Sequence, residues 1–346
     1  MRTIQRERRI KMFTFFGSLI LLFLAVIKID NLLVSLMLAF VVSYMMSPFV
    51  DFFERRGLDR KMATALPFVV LILVVWILAQ IFFPLLLVQL KSLQGNLPQY
   101  SESTLKFVSS LENQVKSFAS DFYPNDLRET LQPKITKMAG DFFQNLPNFI
   151  SKAAFIFFLT PLLAFFMLLD GRRFVRNLLS LVPNNIFELS LHLHYQIATQ
   201  LGGFIRARFI QSLLVTLVIW VGLMILGFPY AFLLAVIAGI LNIIPYLGPL
   251  IGALPAFAIA LSGNAESSLY LGLAGVYSMA QILDTILITP FVVAKIVNLH
   301  PVTVILVVVA GSQLMGILGM IICIPVFSVL KVTSIAIYKH LTDFRT

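Results

Sequence analysis

Apolar blocks of about 20 residues, the length a helix needs to cross the hydrocarbon of a bilayer, recur along this chain. Hydrocarbon offers no partner to a backbone N–H or C=O, so such blocks must become helices that satisfy their own hydrogen bonds or close into a barrel. The blocks are far longer than barrel strands, and the expected fold is therefore an all-α polytopic membrane protein. Full spans are expected at Met12–Ile27, Leu32–Val50, Met62–Leu90, Phe149–Leu169, Phe209–Leu226 and Leu269–Pro290. A hydrophobic content of 59% against 12% charged residues lies outside the usage of soluble domains and agrees with that reading. The first block follows Arg2, Arg6, Arg8, Arg9 and Lys11, like the basic start of a signal peptide. No small-residue cleavage pattern follows it and a second span begins at once, so it reads as a retained helix.

Two further apolar stretches, Tyr230–Leu261 and Pro301–Leu330, are too long for one ordinary span and are broken by Gly and Pro. Laid on one another they match. Ala238-Gly239, Pro245-Tyr246-Leu247-Gly248 and Pro255 correspond to Ala310-Gly311, Gly316-Ile317-Leu318-Gly319 and Pro325, with one residue fewer in each spacer. Each stretch reads as helix, breaker cluster, helix, and each is expected to be a re-entrant hairpin. A span followed by a hairpin occurs twice, and the two units enter from opposite faces, which is the inverted repeat of many secondary transporters. The other reading is that Gly and Pro only kink two ordinary spans, giving eight full crossings.

Polar segments lie between the blocks. Residues 91–148 carry apolar positions at helical spacing (Leu105, Val108, Leu111, Val115, then Leu127, Leu131, Ile135) and are expected to form an extracytoplasmic amphipathic helical insertion. Residues 170–205 repeat that pattern after Pro183 and are expected to lie along the membrane surface. With the amino terminus inside, the inner segments hold 18 Lys and Arg against 7 acids, whereas the outer ones are balanced at 8 against 8. Basic loops stay in the cytoplasm, so both termini are expected there, in a bacterial inner membrane. The organisation is thus 1–90, three spans; 91–148, insertion; 149–205, fourth span and interfacial helices; 206–330, a transport domain with both hairpins; and 331–346, a cytoplasmic tail. The basic excess is spread over short loops, which argues against a nucleic-acid partner.

The quoted segments carry a family resemblance. "LNIIPYLGPLIGALPA" (241–256), "QILDTILITPFVVAKIVNLHP" (281–301) and "GSQLMGILGMIICIPVFSVLK" (311–331) resemble the bacterial autoinducer-2 exporter-like permease family over nearly the whole chain. The resemblance implies a transporter whose solutes range, across the family, from a quorum-sensing signal to sodium and protons, and it implies a homo-oligomer. Substrate does not transfer at that level.

Ionisable groups inside a span need a reason to be there. Asp284 is the one acid within an expected span. It is either a proton- or cation-coupling carboxylate supported by Gln281 and Thr285, or an interfacial acid paired with Arg206, Arg208 or Lys295. Asn242, Pro245, Gly248, Pro249, Ser312, Gln313, Gly316 and Gly319 are expected to line a solute pathway; gluing of helices is the alternative for Asn242, Ser312 and Gln313. Arg206, Arg208, Lys295 and His300 are expected at an inner gate or at lipid headgroups, and snorkelling explains Arg206, Arg208 and Gln211 equally well. His300 has a second reading as a structural residue where the second hairpin begins.

Other chemistries find little support. His192 and His194 point to different sides of a helix, so no metal site is expected. Ser312 with His300 is a weak signal for an intramembrane serine protease. No nucleotide-binding loop of the G-x-x-x-x-G-K-[ST] form is present. The single Cys323 allows no intramolecular disulfide, and no cofactor is expected. The reading is not an enzyme but a permease, with an envelope scaffold using 91–148 as the alternative.

Overall fold

The computed structural model describes residues 31–118, 127–182, 184–244, 247–262, 267–286 and 300–343. Met12–Ile27, Pro245 and Lys295 lie outside them. The described residues form the helices α1 (Leu32–Arg55), α2 (Arg60–Phe118), α3 (Leu127–Leu179), α4 (Asn184–Ile225), α5 (Ala231–Leu241), α6 (Leu247–Ala260), α7 (Ser267–Ile282) and α8 (Pro301–Asp343). Among the described residues, five helical stretches are long and apolar enough to cross a membrane: Leu32–Arg55, Arg60–Ser110, Phe143–Leu179, Phe187–Ile225 and Ser267–Ile286. Each contains or overlaps an expected span. Large apolar side chains face outward on them, Trp76 at 61% and Phe158 at 77% exposure, as suits a surface bathed by hydrocarbon rather than water.

Three helices are longer than expected. α2, at 59 residues, is about 88 Å long and runs past Leu90 well into the insertion; α3 likewise crosses the boundary at Asn148. α4 runs unbroken from Asn184 to Ile225, so residues 184–205, expected as a separate helix, are continuous with the expected span at Phe209–Leu226. Gly202 and Gly203 did not break it, because packing on neighbouring helices outweighs the modest propensity cost of glycine.

The chain divides into two compact units, residues 1–69 with 147–178, and 70–146 with 179–346. In the first, the α1–α2 turn is written in "RRGLDRK". Gly57 takes φ +93°, its N–H bonds Glu54 O and the Leu58 N–H bonds Phe53 O, closing α1 with a Schellman motif. Asp59 then caps α2 by accepting the Lys61 N–H at 2.9 Å. Phe68 meets Phe165 edge to face, and Arg60 reaches Glu54 and the Leu168 carbonyl. Arg172 joins Asp51 and Glu54 at 2.8 and 2.9 Å, but it is half-exposed, so the pair contributes at most about 1 kcal/mol.

The second unit holds both broken stretches. α5 and α6 are too short to span, at roughly 17 and 21 Å. They lie antiparallel: a Cβ on Gly252 would stand 2.5 Å from Ala238 Cβ, and one on Gly248 would stand 2.4 Å from Asn242 Cβ. Small residues let the two backbones touch. The second stretch lies within α8, yet Gly311 sits against the Gly319 backbone and Cys323 Cβ, with 2.5 and 2.7 Å to an added Cβ. Along a straight helix those residues would be about 12 and 18 Å away, so the chain reverses between them. Gly316, at φ +61°, stands at the reversal. The repeat read in the sequence aligns Gly239 and Gly248 with Gly311 and Gly319. Gly248 and Gly252 meet the other limb at Asn242 and Ala238, as Gly319 and Cys323 meet Gly311, whereas Gly239 packs instead on Thr216 and Ser212 of α4.

α2 holds the first hairpin at its open end. Gln89, Ser92, Asn96 and Tyr100 lie on one stripe of α2, at steps of three and four. Gln89 Oε1 accepts the Leu233 N–H at 2.8 Å, capping α5 from outside, and Tyr230 Oη meets Asn96 Nδ2 at 2.9 Å, Tyr100 Oη at 3.1 Å and Ser92 Oγ at 3.3 Å. One donor and two acceptor sites fill the bonding capacity of a phenol hydroxyl. Tyr230→Phe is therefore expected to cost about 1–3 kcal/mol, read as a lower melting temperature of the detergent-solubilised protein.

Candidate functional site

α4 and α7 run antiparallel in close contact. A Cβ on Gly222 would meet Val276 and one on Gly272 would meet Leu226, both under 3 Å. Continued toward the other end, that register brings Gln211 opposite Asp284. Gln211 continues the buried stripe of Val215, Ile219 and Leu223, and is itself fully buried. α7 ends in a π-helical turn over residues 283–286, a backbone form concentrated at functional sites, and Asp284 sits in it at 2% exposure.

A carboxylate so buried requires donors. Gln211 Nε2 donates to Asp284 Oδ1 at 2.6 Å, and Asn242 Nδ2, at the end of α5, approaches the same oxygen at 3.4 Å. Gln211 Oε1 accepts from Arg208 Nη1 at 2.7 Å. The amide orientation is forced, since a guanidinium only donates and a carboxylate only accepts. Arg208 is thus linked to Asp284 through one neutral amide, and its guanidinium lies 5.5 Å over the Phe204 ring. Asn242 is fully buried and its Oδ1 has no partner among the described residues. Gly248 packs directly on Asn242, and Ser212 Oγ donates to the Gly239 carbonyl at 2.5 Å, so the end of α5 is fixed from two sides. Gln211→Leu is expected to lower stability by about 1.5–3 kcal/mol, the range for a hydrogen bond to a charged group, measurable by thermal unfolding.

Of the residues singled out in the sequence, Asp284, Asn242 and Arg208 come together, with Gly248 and buried Pro249 behind Asn242. Gln281 Nε2 donates to Thr285 Oγ1 at 3.1 Å on a more exposed face, so these two bond one another rather than Asp284 in the described contacts. Ser312 Oγ donates to the Val309 carbonyl of its own helix, Gln313 is exposed, and Gly319 serves limb packing. His300 caps α8: its Nδ1 accepts from Val302 N at 3.3 Å and its carbonyl from Val304 N at 3.2 Å. Arg206 is half-buried. Gln211 was missed as a site residue; its place four residues before Val215 on the apolar stripe was the available signal. The polar stripe of α2 was missed too.

Among the described residues no group of three or more His, Cys, Asp or Glu could hold a metal ion. Apolar outer faces on helices long enough to cross a bilayer fit a multi-pass membrane protein. Residues 16–339 match the model of the AI-2E family transporters, and the chain belongs to that family. It is similar to the putative transport protein YrrI of Bacillus subtilis, 26% identical over 332 residues that cover 91% of this chain and 89% of the relative. The putative permease PerM of Escherichia coli K12 is 24% identical, covering 87% and 86%. The AI-2 transport protein TqsA of the same organism is 22% identical, covering 93% and 91%.

Proposed function

We propose that this chain is a secondary transporter of the bacterial inner membrane, with both termini cytoplasmic, that exports a small solute or moves a cation by alternating access around two re-entrant hairpins, with H+ or Na+ coupled through Asp284. The observation that carries the coupling role is the unmatched Asn242 Oδ1 beside a buried carboxylate. A proton on Asp284, or a small cation between the two side chains, supplies the donor or charge which that oxygen lacks. Binding there changes the charge of a group that touches both α4 and the end of the first hairpin, so an ion gradient acts on the parts that must rearrange. The name of one relative, an AI-2 transport protein, makes AI-2 the first solute to test. The family reading also favours a homo-oligomer.

Flux in proteoliposomes under imposed proton and sodium gradients tests this reading. Stimulation by one gradient is the expected result; indifference to both removes the coupling role of Asp284. Topology is tested in a Cys323→Ser background by cysteines placed at Gly263 and Asn298. Labelling of the first from outside and of the second from the cytoplasm is expected, and the reverse overturns the hairpin topology. A variant in which residues 91–148 are required for a partner complex while purified protein moves nothing would favour the scaffold reading.

A further inference from the structure

We propose that a cavity at the open end of the first hairpin is a binding site for a small, neutral, polyhydroxylated solute, built from α2, the end of α6 and the start of α7. Its place in a transport cycle rests on the transporter reading above; the binding itself does not.

The stripe of α2 that grips the hairpin continues past Tyr100. Gln89, Ser92, Asn96 and Tyr100 are followed, at the same steps of three and four, by Ser103, Phe107 and Ser110. The first four bond α5 or the residue before it. The last three line a cavity of about 740 Å3 instead. Phe257 of α6, Ser262 just after that helix and Tyr270 of α7 complete its walls, with Lys106 of α2 beside them. Tyr270 Oη donates to the Ala260 carbonyl at 3.2 Å, which ties α7 to the last turn of α6 and fixes the wall opposite α2. Small-molecule sites occupy about 300–1,000 Å3, so the space suits a solute rather than a bare ion.

The walls mix acceptors, a donor and ring faces. Ser110 Oγ gives its proton to the Phe107 carbonyl at 2.7 Å and Tyr270 Oη gives its own to Ala260, so both hydroxyls keep acceptor lone pairs. Lys106 only donates. It pairs with Glu102 at 2.8 Å, but the two side chains are 67% and 64% exposed, and an exposed pair of this kind rearranges at little cost. Ser262 Oγ is buried and has no hydrogen-bond partner among the described residues. Such a hydroxyl is matched when a group able to donate or accept fills the space beside it.

That set of groups selects against charge. A carboxylate or phosphate only accepts, and would set its oxygens against the lone pairs of Ser110 and Tyr270. An ammonium only donates, and would face Lys106. An alcohol does both, and several alcohols on one carbon ring answer all of these groups together. The C–H face of that ring is apolar, and Phe107 and Phe257 offer it aromatic surface. Lys106 and Glu102 cancel in charge, which again suits a neutral solute. The cavity is separate from the buried carboxylate: Tyr270 and Asp284 are 14 residues apart along α7 and its π-helical end, or roughly 21 Å. On the proposed topology it opens on the extracytoplasmic side, where the solute is met or released while Asp284 responds to the ion.

Glucose, gluconate and glucosamine share a carbon skeleton and differ in charge, which makes them the probes. Ser103→Cys in a Cys323→Ser background is labelled with a water-soluble maleimide on the full chain in nanodiscs, and Gly95→Cys, exposed on α2, is the control. At about 50 mM, glucose is expected to slow labelling of Ser103→Cys at least about threefold, the protection given by a Kd of about 25 mM or tighter, and to leave Gly95→Cys unchanged. Gluconate and glucosamine are expected to protect at least about fivefold more weakly. Adding Ser262→Ala is expected to weaken glucose protection about three- to tenfold, the effect of one lost hydrogen bond, at an unchanged melting temperature. No protection by any probe, better protection by gluconate or glucosamine than by glucose, or glucose protection untouched by Ser262→Ala overturns the proposal. Gradient-stimulated flux without protection removes this site alone; protection without flux removes the transporter reading alone.

Discussion

Asp284→Asn is expected to abolish gradient-driven flux, by about 100-fold or more, while leaving the fold intact. Asparagine keeps the shape of aspartate, and its carbonyl accepts the Gln211 and Asn242 N–H groups that now converge on Oδ1. It cannot exchange a proton and carries no charge with which to bind a cation. Coupling therefore fails for a reason separate from packing. Asp284→Ala makes the contrast: it strands two buried donors, Gln211 Nε2 and Asn242 Nδ2, at about 1–3 kcal/mol each, so it should lower the melting temperature as well as the flux. The measurement is flux in proteoliposomes with and without an imposed gradient, beside thermal unfolding in detergent. Wild-type stimulation by the gradient in Asp284→Asn would remove this carboxylate from the mechanism.

The membrane class and most of the span positions were legible because a bilayer imposes a length rule that sequence obeys openly. The broken stretches were legible for a related reason: Gly and Pro clusters inside apolar runs have to be accommodated by the fold. The helix ends were not. Between Leu90 and Phe118 the polarity changes but the propensity for helix does not, and even Pro98 is absorbed by α2 at the loss of one backbone hydrogen bond. Gln211 was misread for a different cause. Beside Arg206 and Arg208 it looked like the start of a span at the interface, whereas α4 begins at Asn184 and places it mid-helix against α7. Ser312 and Gln313 were grouped with Asn242 by repeat symmetry. Gly248 and Gly319 follow that symmetry in meeting the opposite limb, but the polar side chains do not, since Asn242 meets Asp284 and Ser312 bonds its own helix.

The second large effect is expected at Gly248, where backbone and site meet. A Cβ added there would lie 2.4 Å from Asn242 Cβ, 2.6 Å from its Oδ1 and 2.7 Å from the Ala238 carbonyl. Two of those three atoms belong to backbone or Cβ and cannot swing aside, so Gly248→Ala must part the limbs of the first hairpin. Overpacking of this kind costs about 1–3 kcal/mol. The functional loss should be greater than the stability loss, because the atom displaced first is the side chain that contacts Asp284. Flux is expected to fall at least about tenfold, on the premise that this kind of small misplacement near a reacting group costs far more than its strain energy. Gly95→Ala is the matched control. Nothing lies within 4 Å of its added Cβ, and in a helix interior alanine is favoured over glycine by about 0.5–1 kcal/mol. A Gly248→Ala protein with the flux and melting temperature of the Gly95→Ala protein would show that the close approach of α5 and α6 is not what positions Asn242. A protein that melts like wild type but has lost flux would locate the whole effect in the contact between Asn242 and Asp284.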